Sequence, residues 1–78
     1  MKELIYTMIE GLNNQILESM KNLTDARRAL YEAQENQWPL EGKQNVVKFY
    51  EERLEDLKSQ LEDLWSQLNK INGSEAHV

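Results

Sequence analysis

Acidic side chains are the residues of this sequence whose types and spacing could form a metal-binding site. Six of them lie between residues 51 and 63: Glu51, Glu52, Glu55, Asp56, Glu62 and Asp63. Carboxylates bind hard cations, but di-metal sites in helical bundles combine inward-facing Glu with Glu-x-x-His, and the chain has no such motif. Glu55 and Glu62 are spaced seven residues apart, and so are Asp56 and Asp63. This spacing indicates the outer surface of a helix. We therefore predict a solvated acidic surface rather than a metal site.

Residues that commonly carry catalysis are scarce. The chain has no cysteine, and its single histidine, His77, stands next to the C-terminus in a segment that we expect to be frayed. The serines and threonines have no nearby base, and no glycine-rich phosphate loop is present. A nucleophile needs a base within hydrogen-bond reach, so we predict no catalytic residue, no cofactor and no enzymatic activity.

Length and charge restrict the class of protein. The 78 residues have room for a single domain, and their net charge of −5 argues against direct binding to nucleic acid, which needs concentrated Lys and Arg. No apolar run approaches the roughly 20 residues of a membrane span, and no signal peptide opens the chain. These features predict a cytoplasmic protein that does not bind membranes.

The second half of the chain has a strict apolar repeat. Its large residues recur with alternating gaps of three and four: Val47, Tyr50, Leu54, Leu57, Leu61, Leu64, Leu68 and Ile71. A 3.5-residue repeat keeps one seam of a helix facing another helix along a supercoil. The pattern predicts a coiled-coil helix over about 43–72. Asn72 and Gly73 are expected to end it, leaving a frayed tail over 73–78.

A similar repeat runs through the first half. One track carries Ile9, Ile16, Leu23 and Leu30, and the other carries Ile5, Leu12, Ser19, Ala26 and Ala33. Gly11, Asn13 and Asn14 have low helix propensity but leave the repeat intact, so the sequence predicts one helix over about 3–37 that is locally weakened at these residues.

Residues 38–42 separate the two repeats. Pro39 either kinks one long helix or lies in a turn between two helices. The apolar register slips by three residues across this break, so one straight coiled coil would lose its seam. We therefore predict an all-α antiparallel hairpin that folds back near residue 40. This fold-back pairs Ala26 with Leu54, Leu23 with Leu57 and Leu12 with Leu68, so that small residues meet large ones.

Large apolar residues also lie off the seam. They include Leu4, Tyr6, Leu17 and Trp38. Because aromatic residues and methionine are enriched at protein interfaces, we predict an interaction surface formed by six others: Met8, Met20, Tyr31, Val46, Phe49 and Trp65. Such residues either broaden the stripe inside one hairpin or form a second face that another chain covers. We favour the second interpretation and predict a homodimer of hairpins, which would be a four-helix bundle.

These features predict a small adaptor, assembly or regulatory protein that binds other proteins, of unspecified identity, through self-association and an apolar side face. The alternative is a small acidic inhibitor or nucleic-acid mimic, whose six acidic residues on the second helix would block a basic groove on another protein.

Overall fold

The fold is a helical hairpin, as the two apolar repeats predicted. The computed structural model describes residues 2–76 and contains helix α1, Lys2–Glu35, and helix α2, Glu41–Ala76. The two helices pack side by side along a rod of 64 × 14 × 13 Å. A single helix of this chain length would be about 115 Å long, so the rod's length requires the chain to fold back. Helix α1 continues without interruption through Gly11, Asn13 and Asn14.

The predicted seam forms the core. All the large seam residues are buried or half-buried, and Leu57 and Leu68 are the most deeply buried. The small seam residues Ser19, Ala26 and Ala33 are buried as well. Their burial shows that the helices pack along their whole length through one narrow stripe, which is the geometry that a 3.5-residue repeat specifies.

The first helix ends through backbone hydrogen bonds characteristic of a Schellman motif. Gln37 has a φ of 58°, in the left-handed region that few residues other than glycine adopt. The Trp38 N–H donates to the Ala33 carbonyl at 2.9 Å, and the Gln37 N–H donates to the Gln34 carbonyl at 3.3 Å. Helix α1 therefore ends at Glu35, two residues before the predicted end at 37.

The second helix begins earlier and ends later than predicted. The Leu40 carbonyl accepts the Gln44 N–H at 2.8 Å, and α2 starts at Glu41 rather than 43. The predicted stop at Asn72 and Gly73 was wrong, because α2 continues to Ala76. Glycine ends a helix when it takes a positive φ, and none of the three glycines does so. Residues 77 and 78 of the predicted tail, including His77, lie outside the described residues.

The helices pair with a different offset from the one predicted. Leu12 shares a groove with Leu64 rather than with the predicted partner Leu68, and Leu23 shares one with Leu54 rather than with Leu57. A third groove contains Ser19 and Tyr50 instead of Leu61, the partner of Ser19 in a fold-back at residue 40, so the α2 residues lie one to three seam steps earlier. The offset follows from the connection, because residues 36–40 form it and its centre is residue 38 rather than 40.

Candidate interaction surfaces

Shallow grooves run along two opposite sides of the hairpin. One is lined by Met20, Leu23, Thr24, Arg27, Glu51, Leu54, Glu55 and Lys58. Another is lined by Gln15, Glu18, Ser19, Asn22, Phe49, Tyr50 and Arg53. The two grooves cover overlapping stretches of both helices without sharing a residue, so they lie on opposite sides of the seam.

The first side carries five large apolar residues, which we call the Trp65 face: Tyr6, Leu17, Met20, Tyr31 and Trp65. Met20 lines the groove itself. In a coiled-coil helix, residues spaced by seven lie on the same side. By this spacing the other four residues share a side with Met20 or with the groove residues Thr24 and Lys58. All five side chains are exposed.

The opposite side carries four large apolar residues, which we call the Phe49 face: Leu4, Met8, Val46 and Phe49. Met8 lines a groove beside Leu12 and Leu64 near the open end of the hairpin. Val46 lines another groove beside Pro39 near the connection. Seven-residue steps link Met8 to Gln15 and Val46 to Arg53, both of which line the groove with Phe49.

The structure exposes all six predicted interaction residues but does not bring them to one face. Three of them, Met20, Tyr31 and Trp65, lie on the Trp65 face. The other three, Met8, Val46 and Phe49, lie on the Phe49 face. The seam separates the two groups, because off-seam residues flank it on both sides. The predicted single side face is therefore two faces.

Phe49 contacts a second aromatic ring on the Phe49 face. The Phe49 ring meets the half-buried Tyr50 ring edge to face, with centroids 5.2 Å apart and an interplanar angle of 76°. Trp38, in the connection itself, is 53% exposed. Phe49 is thus held at its inner edge by Tyr50 while most of its surface stays in water.

The six acidic residues of the alternative hypothesis, an acidic inhibitor, are all exposed along α2. Glu51 and Glu55 line the groove of the Trp65 face, whereas Asp63 lines a groove on the opposite side. Asp56 accepts a hydrogen bond from the Gln60 amide at 3.2 Å. These residues therefore spread around the outer half of α2 instead of forming a single acidic stripe. Residues 2–76 contain no cluster of carboxylate or histidine side chains suited to a metal ion.

Comparison with protein-family models, with curated proteins and with solved structures found no match for this chain. Within residues 2–76, neither helix has a stretch long and apolar enough to cross a membrane.

Proposed function

We propose that this chain is a non-enzymatic interaction module that self-associates, with two hairpins packing side by side into a four-helix bundle. The observation that carries the proposal is the large apolar surface that one hairpin leaves in water. Nine large apolar side chains on its two faces, and Trp38 in the connection, are each at least 44% exposed. Exposed apolar surface on this scale marks interaction sites in small proteins.

The total surface area supports the same proposal. The chain has an accessible surface of 6130 Å². A compact monomer of its 9.2 kDa mass would expose about 4,900 Å². The excess of about 1,200 Å² reflects the rod shape, which leaves two long sides open. A specific interface covers about 800 Å² on each partner, so a second hairpin on one side would remove most of this excess.

Sedimentation equilibrium over a wide concentration range tests the proposal. We expect a mass of twice the 9.2 kDa of the chain, with dissociation on dilution. The helical content, followed by circular dichroism, should fall on heating at a temperature that rises with protein concentration, because association stabilises the folded state by mass action. A single species of one chain mass at every concentration would contradict self-association.

The exposed acidic residues of α2 support a second candidate, an acidic inhibitor of a protein with a basic groove. Arg53 and Lys58 interrupt these residues, which makes the acidic surface a weaker match to a nucleic-acid backbone. The two candidates differ in salt dependence. A charge-driven complex weakens as salt rises above physiological strength, whereas association through apolar surface does not.

A further inference from the structure

We propose that the second copy of the chain docks on the Trp65 face, and that the Phe49 face stays outside the resulting bundle. This inference rests on the proposed self-association and specifies which side of the hairpin provides it. The two faces differ in the spacing of their apolar residues along the rod and in the exposed area of those residues.

Most apolar residues of the Trp65 face lie within one segment of the rod. Tyr6, Leu17 and Met20 span 14 residues of α1, or about 21 Å along the rod. Leu64 shares a groove with Leu12, so the adjacent Trp65 lies level with the middle of this span. Four of the five residues of the face therefore lie within this span, on both helices.

The apolar surface of the Phe49 face is divided. Val46 shares a groove with Ala26 and Ala29, whereas Met8 lies some 20 residues earlier in α1, which separates the two by about 30 Å along the rod. Phe49 lies in the stretch between them, where its groove is also lined by the polar residues Gln15, Glu18, Asn22 and Arg53. A second copy would have to cover these polar residues to reach both apolar ends.

The exposed area also favours the Trp65 face. At on the order of 200 Å² for each large side chain, the exposed fractions of its five residues add up to about 500 Å². Two copies would bury about 1,000 Å² through these residues alone, which is the lower limit for a specific interface. The four residues of the Phe49 face offer about 400 Å², interrupted by the polar residues that line the groove of Phe49.

Charges on the Trp65 face are suited to a second copy of the same chain. Its groove contains two cations, Arg27 and Lys58, and two anions, Glu51 and Glu55. In a twofold dimer each pairing occurs twice, so a surface with balanced charges can complement itself. The grooves of the Phe49 face also carry two anions, Glu18 and Asp63, and two cations, Lys43 and Arg53. Charge balance therefore does not distinguish the two faces, and the choice between them rests on the spacing and the area of their apolar residues.

A matched pair of methionines allows a direct test. Met20 on the Trp65 face and Met8 on the Phe49 face lie on the same helix and are both 48% exposed. Met20→Lys and Met8→Lys thus make the same chemical change at the same exposure on opposite faces. We expect Met20→Lys to raise the dissociation constant of the dimer at least tenfold in sedimentation velocity. Met8→Lys should leave it within about twofold of the unmodified chain.

A second matched pair guards against a local effect at one residue. Leu17 and Leu4 are 64% and 60% exposed on the Trp65 and Phe49 faces, respectively. Leu17→Lys should weaken association and Leu4→Lys should not, while far-ultraviolet circular dichroism shows that all four variants remain helical. If only the Met8 and Leu4 variants weaken association, the second copy docks on the Phe49 face. Equal weakening by variants of both faces would also refute the inference, and in either case self-association stands. If the unmodified chain stays monomeric, self-association and this inference both fail.

Discussion

The left-handed residue that ends α1 offers a sharp test of the connection. Gln37 is the only residue other than glycine with a positive φ among those that the structure describes. A left-handed conformation costs about 1–2 kcal/mol for a residue with a Cβ atom, whereas glycine adopts it freely. Gln37→Gly removes this strain but adds about 0.5–1 kcal/mol of conformational entropy to be lost on folding. We therefore expect the free energy of unfolding to rise by about 0.5–1 kcal/mol.

Urea unfolding at a fixed chain concentration, followed by circular dichroism, measures this change. For a domain of this size, the same stabilisation should raise the melting temperature by about 2–8 °C. Gln67→Gly is a suitable control because Gln67 is exposed within α2. There glycine only weakens the helix, and we expect a loss of up to about 1 kcal/mol. The same substitution should thus have opposite signs at the two positions.

A loss of stability in Gln37→Gly similar to that in Gln67→Gly would refute the reasoning. It would mean that residue 37 has ordinary helical geometry in solution, and hence that α1 continues past Glu35 as the apolar pattern first indicated. The two hydrogen bonds to the Ala33 and Gln34 carbonyls would then be absent as well.

Three further predictions concern the helices and their pairing. Gly11→Ala should stabilise the fold by about 0.5–1 kcal/mol in urea unfolding, because an added Cβ meets nothing within 4 Å and alanine favours the helix; a loss of stability would place a close neighbour there. Ala26→Leu should lower stability by about 1–3 kcal/mol through overpacking of the seam, and an unchanged melting temperature would show that Ala26 does not face α2. Cysteines replacing Leu12 and Leu64 should form a disulfide faster than cysteines replacing Leu12 and Leu68, and the reverse order would restore the fold-back at residue 40.

The seam was predictable because one physical quantity determines it. A helix that packs along its whole length needs apolar side chains every 3.5 residues, and the positions from Ile5 to Ile71 that satisfy this spacing are buried or half-buried. The slip of that spacing at Pro39 similarly required the chain to reverse. These inferences depend on which residues are apolar and on no detail of the backbone.

The helix ends were less predictable because backbone geometry sets them. Proline at 39 limits how far α1 can extend, but the observed end depends on Gln37 taking a conformation that its side chain disfavours. Leu40 precedes α2 without a side-chain oxygen to cap it, so no sequence signal marks the start at Glu41. Gly73 is compatible both with a helix stop and with continuation, and the structure shows continuation.

The pairing offset could not be read from side-chain size. A shift by one seam step changes the predicted partner of Ala26 from Leu54 to Tyr50, and both partners are large. Small residues therefore meet large ones in either arrangement, and the rule of interdigitation does not distinguish them. The length of the connection decides between them, and that length depends on the same helix ends that the sequence left uncertain.

The division of the off-seam residues into two faces was available from the sequence. Met20 lies three residues before the seam residue Leu23, whereas Met8 lies one residue before Ile9. At 3.6 residues per turn, these offsets place the two methionines on opposite flanks of the seam. Grouping residues by type rather than by flank produced the single predicted face.

The two faces give the proposed module a way to combine self-association with binding to another protein. A bundle closed through the Trp65 face would leave the Phe49 face outward on both hairpins, with Phe49 and Val46 near the connection. A heterologous partner that bound there would not compete with the second copy, so each dimer would take two partners. Met8→Lys then separates the two activities, because it would leave dimerisation intact while altering the outward face. Sedimentation experiments could instead show that partner binding and dimerisation exclude each other. The partner and the second copy would then share one face, and the assignment of separate faces to them would be wrong.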